Sequence, residues 1–321
     1  MARIQGKTTS DDYKCFAGID VSKAHLDLHV HGTRKGRRFA NTLDGIAALL
    51  DHLGSERHLV VLEPTGRYHL AVWMALDGAH DVAPVKPFSA RRLAEGLGHL
   101  AKTDAIDAQL LSLISARLSP PVLPAPDEKT QEIRALYAHK QSLIRRRAMA
   151  KTQMAQTNSP EITALLKQEI ADQSARIKAL DALLRSRIKA HEPLARTHEI
   201  LTSIPGIAQQ GAEAILVLLP QIGRATNGEI AALTGCAPMT SQSGQRQGQS
   251  RTRGGRRNLR TALHMPAVAA LSHNPDLKAF ADRLRAKGKH GSVIVTAVLR
   301  KLVILANTLV AQDRLWTPER P

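Results

Sequence analysis

Prolines at 120, 121, 124 and 126 divide this chain of 321 residues into two regimes. Proline fixes φ, removes a backbone donor and disfavours helix in the residue before it, so no regular element runs through that stretch. Upstream, short strand-like runs alternate with helical ones. Residues Cys15–Val30 read as two strands joined by a turn, the second alternating Leu26, Leu28 and Val30 against Asp27 and His29. A helix follows over Leu43–Leu53, a buried strand over His58–Leu62, a helix over Tyr68–Asp77, a further buried strand over Asp81–Val85 and helix over Ser89–Leu118. Such alternation predicts an α/β domain over residues 1–125.

Downstream the pattern lengthens. Glu128–Gln156 and Glu161–Ala190 are two long helical stretches separated by Asn158-Ser159-Pro160, and Ile170, Ile177 and Leu184 recur every seven residues with Leu166 and Leu180 between them. That spacing predicts an antiparallel or coiled-coil seam, which packs either within the chain or against another, over residues 126–198. From 199 to 321 the chain reads as mostly helical. Two helices meet at Pro205-Gly206, resembling a helix-hairpin-helix whose turn amides, Gly206 among them, could hold a phosphate, although a plain helical hairpin fits the residues too. A polar loop spans Thr240–Gly255, and helices follow near Arg256–Ser272, Pro275–Ala286 and Ser292–Ala311.

Charge narrows the partner. Lys and Arg number 45 against 28 Asp and Glu, a formal charge of +17. From Ile230 to Pro275 there is no acid, while Arg246, Arg251, Arg253, Arg256, Arg257 and Arg260 crowd the middle. A field of this kind suits nucleic-acid phosphate, and with only 3% aromatic residues the grip is on backbones rather than stacked bases. The apolar run Ser292–Ala311 carries Arg300 and Lys301 at its centre and is not read as a membrane span. The N-terminal residues lack the apolar core of a secretory signal. Cys15 and Cys236 offer neither a disulfide framework nor metal-ligand spacing, so a reducing cytoplasm is expected.

Two constellations carry chemistry. Asp20 and Glu63 end two apolar strands, and Asp104 and Asp107 stand three apart in a helical KTDAIDA. Positions i and i+3 share a helix face, and four converging carboxylates need cations, for which oxygen donors suit Mg²⁺ or Mn²⁺. Two such ions assist phosphoryl transfer. The second constellation is Ser241, Ser243 and Ser250 among glycines and arginines. A serine there could form a phosphoserine link to DNA, or the loop could simply grip phosphate, and spacing does not choose among the three.

The order of the carboxylates resembles ribonuclease-H-like folds, Holliday-junction resolvases in particular. More specifically, GIDVSK around Asp20, EPTG at Glu63, KTDAIDA, IPGI at Ile204–Ile207, APMTSQSGQRQG and GGRRNLRTAL together resemble the DEDD transposases of the insertion-sequence one-ten (IS110) family, the bridge-RNA-guided serine recombinases. The resemblance runs from about Phe16 to Leu309. It implies an α/β RuvC-like domain, a helical coiled-coil insertion and a mostly helical C-terminal transposase domain. It assigns Asp20, Glu63, Asp104 and Asp107 to the metal and catalytic tetrad and Ser243 to the nucleophile, with Ser241 the near miss. EPTG stands where many relatives have EATG, which leaves the ligand itself intact.

The resemblance further implies a guide (bridge) RNA encoded by the element, target and donor DNA as substrates, a homodimer or tetramer, and work at the nucleoid in a prokaryotic cytoplasm. Arg246, Arg251, Arg253, Arg256, Arg257 and Arg260 are the expected phosphate contacts. Two rivals are a resolvase-like nuclease that uses water, and a nucleic-acid-binding protein whose carboxylates are structural.

Overall fold

The computed structural model describes residues 13–85, 104–239, 242–243, 246–247 and 251–318, with backbone alone for 104–106, 242–243 and 246–247. Ser241, Ser250 and the helical reading of 89–103 lie outside the described residues. The chain divides into two compact units, residues 1–127 and 128–321.

The first unit is built on a five-stranded sheet of order β3-β2-β1-β4-β5, with β1 (Cys15–Val21), β2 (His25–Val30), β3 (Arg37–Ala40), β4 (His58–Leu62) and β5 (Asp81–Pro84). β1, β2 and β3 pair antiparallel, whereas β1, β4 and β5 are parallel. Helix α1 (Leu43–Leu53) starts where the Thr42 hydroxyl accepts from the Gly45 amide, and it buries Ile46, Leu49 and Leu53. Together with α2 (Leu70–Leu76) it covers the face of Ala17, Ile19, Val21, Leu26, Leu28, Val60 and Leu62. Helix α3 (Asp104–Leu118) covers the opposite face, where Leu110, Leu111 and Ile114 meet Leu59, Val61 and Ala83. Strands buried on both faces explain why HLVVL reads as continuously apolar. β3 was not expected: its RRFA sequence has no apolar alternation because it is an exposed edge strand, and edges of this kind carry charge.

The second unit opens with a helical hairpin of α4 (Glu128–Gln156) and α5 (Pro160–Lys189). The Ser159 hydroxyl caps α5 and Pro160 occupies its first turn, so the break falls where the sequence predicts it. Its buried seam is Leu166, Gln173, Ile177, Leu184 and Ile188. Ile177 and Leu184 of the expected heptad lie in it with Leu166, whereas Ile170 and Leu180 are only half-buried and a glutamine stands at one seam position. At the hairpin's foot a fully buried lysine, Lys140, donates to Asp181 at 2.7 Å and to Glu213 at 2.6 Å. Gln209 donates to the other Glu213 oxygen at 2.8 Å, so the charges are paired and the acceptors used.

Helices α6 (Glu192–Ser203), α7 (Gln209–Leu218), α8 (Asn227–Thr234), α9 (Arg257–His273), α10 (Pro275–Ala286) and α11 (Gly291–Ala311) share one apolar core with the foot of the hairpin. At the α6–α7 turn Gly206 has φ +105°, and a Cβ there would lie 2.7–2.9 Å from Ala270 of α9. Only glycine satisfies both the conformation and the contact. Among the described helices α11 alone is long and apolar enough to cross a membrane. Eight of its residues, Ile294 to Leu309, are buried in this core, and Asn307 ties it to Gly223, Ala225 and Asn227.

The stretch between α8 and α9, expected as an irregular loop, contains paired backbone. β6 (Pro238–Met239) pairs with β9 (Arg251–Thr252), and inside them β7 (Gln242–Ser243) pairs with β8 (Arg246–Gln247).

Candidate active site

Strand alternation fixes which residues face α3. Gly18 lies directly under that helix: a Cβ there would come within 2.2–2.6 Å of the Ser112 amide, the Ala108 carbonyl and Leu111. Asp20, two residues on, shares its face. On β4 the same face holds Leu59 and Val61, followed two residues later by Glu63. Phe16 is in register with Leu59, and Gly18 with Val61, so Asp20 and Glu63 leave adjacent parallel strands at one level. Both are half-buried, as is Asp107.

Helix α3 runs antiparallel to β1. The Ser115 hydroxyl donates to the Leu59 carbonyl at 2.6 Å, level with Phe16, and Ala108–Ser112 cross at Gly18. Four helical residues rise about 6 Å and two strand residues about 6.6 Å. Going back along α3 therefore brings Asp107 to the level of Asp20 and Glu63, with Asp104 one turn further. The Asp104 side chain lies outside the described residues. Among the described residues no three His, Cys, Asp or Glu side chains come together as a metal-holding group. The donor chemistry of the tetrad itself, all carboxylate oxygen, fits a hard divalent cation.

A residue not expected from sequence is Asp27. It pairs directly across from Asp20 on β2 and lies on the α3 face, since His29, two along, bonds Ser112 there. It is buried and held by two bonds from Arg38, at 2.9 and 3.1 Å. His29 fixes α3 from the same side. Ser112 gives its proton to the Gln109 carbonyl, so His29 Nδ1 donates to Ser112 at 2.8 Å. Burial lowers the pKa of His29 below 6.5, and does the same for His69 and His80.

In the second unit, Ser243 stands opposite Arg246 in the inner hairpin. The Ser243 and Arg246 side chains lie outside the described residues. Arg251, Arg253 and Arg257 are exposed. Arg256 and Arg260 also bond within the protein: Arg256 Nη1 donates to the Leu218 carbonyl at 2.6 Å and to Gln221 at 2.9 Å, and Arg260 Nη1 donates to the Gly254 carbonyl at 2.9 Å. Both brace the chain around the start of α9. Gly206 is half-buried, with its α-carbon against Ala270. Cys236 is buried and its thiol is pushed up to about 11, which leaves it unreactive at neutral pH.

Comparison with known proteins agrees across both units. A DEDD transposase family model, described as "Transposase", matches residues 17–157, and a model described as "Transposase IS116/IS110/IS902 family" matches residues 198–282. The pilin gene-inverting proteins of Moraxella lacunata and Moraxella bovis are each 28% identical to the chain over 318 residues, covering 94% of it and 97% of their own length. An insertion element IS110 uncharacterized 43.6 kDa protein of Streptomyces coelicolor is 32% identical over 134 residues, 40% of this chain and 31% of its own. With family models matched in order over residues 17–157 and 198–282, the chain belongs to the IS110 family of transposases.

Proposed function

We propose that this IS110-family transposase cuts and rejoins DNA through a covalent phosphoserine intermediate, under the guidance of an RNA encoded by its own element. The observation that carries the reading is the common level of Asp20, Glu63 and Asp107 on the α3 side of the sheet. Asp20, Glu63, Asp104 and Asp107 would hold Mg²⁺ or Mn²⁺. A divalent cation bound there supplies charge neutralisation for a scissile phosphate.

The rest of the chemistry belongs to the chain. Ser243 Oγ attacks phosphorus and forms a Ser–O–P bond as the bond to one deoxyribose oxygen breaks. The serine loses its proton and the departing sugar oxygen takes one up. Attack by a sugar hydroxyl on the phosphoserine reverses these changes and reseals the strand. Arg246, Arg251, Arg253 and Arg257 neutralise phosphate around the serine, while Arg256 and Arg260 hold the frame of that loop. The first unit is the RuvC-like metal domain of this scheme, and the α4–α5 hairpin is a coiled-coil arm through which copies assemble as a dimer or tetramer, setting one copy's tetrad against another's serine. The enzyme works in the cytoplasm, at the nucleoid.

Sequence choice resides in the RNA, which pairs with target and donor DNA. Exchange of the RNA segment that pairs with the target tests this: cleavage moves to the DNA matching the new segment. Cleavage that stays at the original site, or proceeds equally without RNA, contradicts RNA guidance.

A further inference from the structure

Asn41 stands between the last residue of β3 and Thr42, the cap of α1. An asparagine at such a junction ordinarily bonds backbone within a few residues of itself. This one reaches much further. Its Nδ2 donates to the Ser22 carbonyl at 2.9 Å and to the Tyr68 carbonyl at 3.1 Å, acceptors 19 and 27 residues away in sequence. A side-chain amide carries two hydrogens, so the two bonds use both donors.

The acceptors belong to the loops that leave the two carboxylate-bearing strands. Ser22 follows Asp20 by two residues, in the turn from β1 to β2, and Tyr68 follows Glu63 by five, at the close of the EPTG turn. Each loop is closed by its own bonds. The Ser22 amide and hydroxyl both donate to the His25 carbonyl at 2.9 Å, and the Tyr68 amide donates to the Thr65 carbonyl at 3.0 Å. Asn41 is itself anchored, since its backbone amide donates to the Ala24 carbonyl at 2.9 Å. A short chain of bonds therefore runs from one loop to the other through a single residue.

Sheet order gives that connection its weight. β1 turns back into β2 on one side while β4 leads to β5 on the other, so the two loops diverge from adjacent parallel strands. In open sheets such a divergence forms a crevice at the carboxyl ends of the strands. The parallel ladder ends at Ile19 and Leu62, one residue short of both Asp20 and Glu63. Asp20 keeps its pairing with Asp27 on β2, whereas Glu63 lies past the end of β4.

We infer that Asn41 is a positioning residue: by tying the loop after Glu63 to the loop after Asp20, it sets the spacing of these carboxylates for a divalent cation. The inference rests on the reading of Asp20 and Glu63 as metal ligands, and it brings the junction of β3 and α1 into the construction of the site. Groups that hold ligands in place weigh on metal affinity nearly as much as the ligands do.

The test is Mn²⁺ binding to the full chain without nucleic acid, followed by the electron paramagnetic resonance signal of the free ion. Asn41→Ala removes both donors, and Asn41→Leu removes them while keeping the size of the side chain, so one serves if the other does not fold. Asp20→Asn marks the site. Thr42→Ala, which strips the cap of α1 one residue away, measures what lost stability alone does. The expected result is a dissociation constant for the Asp20-dependent ion raised about 10-fold or more in the Asn41 variants. In Thr42→Ala it is unchanged despite a lower melting temperature. Asn41 variants that bind Mn²⁺ as wild type does, with Asp20→Asn impaired, overturn the clamp and leave the tetrad standing. Equal weakening in Thr42→Ala overturns the clamp as well, since lost stability then explains both. Binding unchanged in Asp20→Asn overturns the tetrad reading and the clamp with it.

Discussion

At the residue scale the account depends on single atoms being absent or paired. Gly18 has no side chain because α3 backbone occupies the space, and Gly18→Ala has to push α3 off β1. The expected cost is about 3 kcal/mol, the upper end of overpacking, read as a lower unfolding midpoint, with DNA cleavage lost as Asp104 and Asp107 move. A variant of unchanged stability and activity would contradict the packing. A second expectation concerns pH. Because burial depresses the pKa values of His29, His69 and His80, the unfolded chain binds more protons than the folded one below pH 6.5. Their contribution is present above that value and is lost as pH falls through it. Thermal melts from pH 7 to pH 5 should show the first unit losing stability, and changing the three histidines to asparagine should flatten that dependence. Asp27 illustrates why such residues escape a sequence reading. In HLDLHV the alternation sets polar Asp27 and His29 against Leu26, Leu28 and Val30, but it does not show that they lie on the α3 face, where Arg38 bonds Asp27 and Ser112 bonds His29.

At the scale of elements, periodicity carried most of the fold. The strands β1, β4 and β5 and the long helices follow from apolar spacing, and the breaks follow from proline and from the serine cap. β3 and the two-residue strands inside the arginine-rich stretch did not follow, because edge pairing and short ladders leave no apolar period. The buried Lys140 was equally hidden. A lone lysine in a basic helix signals solvent, and only the arrival of Asp181 and Glu213 from α5 and α7 makes burial tolerable. Lys140→Met should cost about 3–5 kcal/mol by stranding buried Glu213, and adding Glu213→Leu should recover much of it. Chemical denaturation of the two variants checks this, and equal losses would contradict a charge-based explanation. At the α6–α7 turn, Gly206→Ala should lose about 2–3 kcal/mol through its positive φ and its contact with Ala270. The sequence leaves this turn open between a phosphate-binding hairpin and a plain helical one, and the structure gives its glycine a packing reason.

At the scale of the whole molecule, charge and family agree: a chain of net charge +17 belongs to a family of DNA transposases. The motifs legible in the sequence were those whose chemistry tolerates few substitutes, the carboxylates at strand ends and the arginine-rich stretch. Which arginines brace the fold and which stand exposed was not legible, since Arg256 and Arg257 are identical in sequence terms and differ only in what surrounds them. The central claim is that carboxylates on the first unit assist a serine of the second. A denaturing gel tests it most directly: enzyme, its element-encoded RNA, Mg²⁺ and a nicked DNA that traps cleaved intermediates, with wild type beside Ser243→Ala and Asp104→Ala. The account predicts a protease-sensitive protein–DNA adduct in wild type that both variants lose. Cleavage without an adduct, persisting in Ser243→Ala, would contradict it and make water the nucleophile.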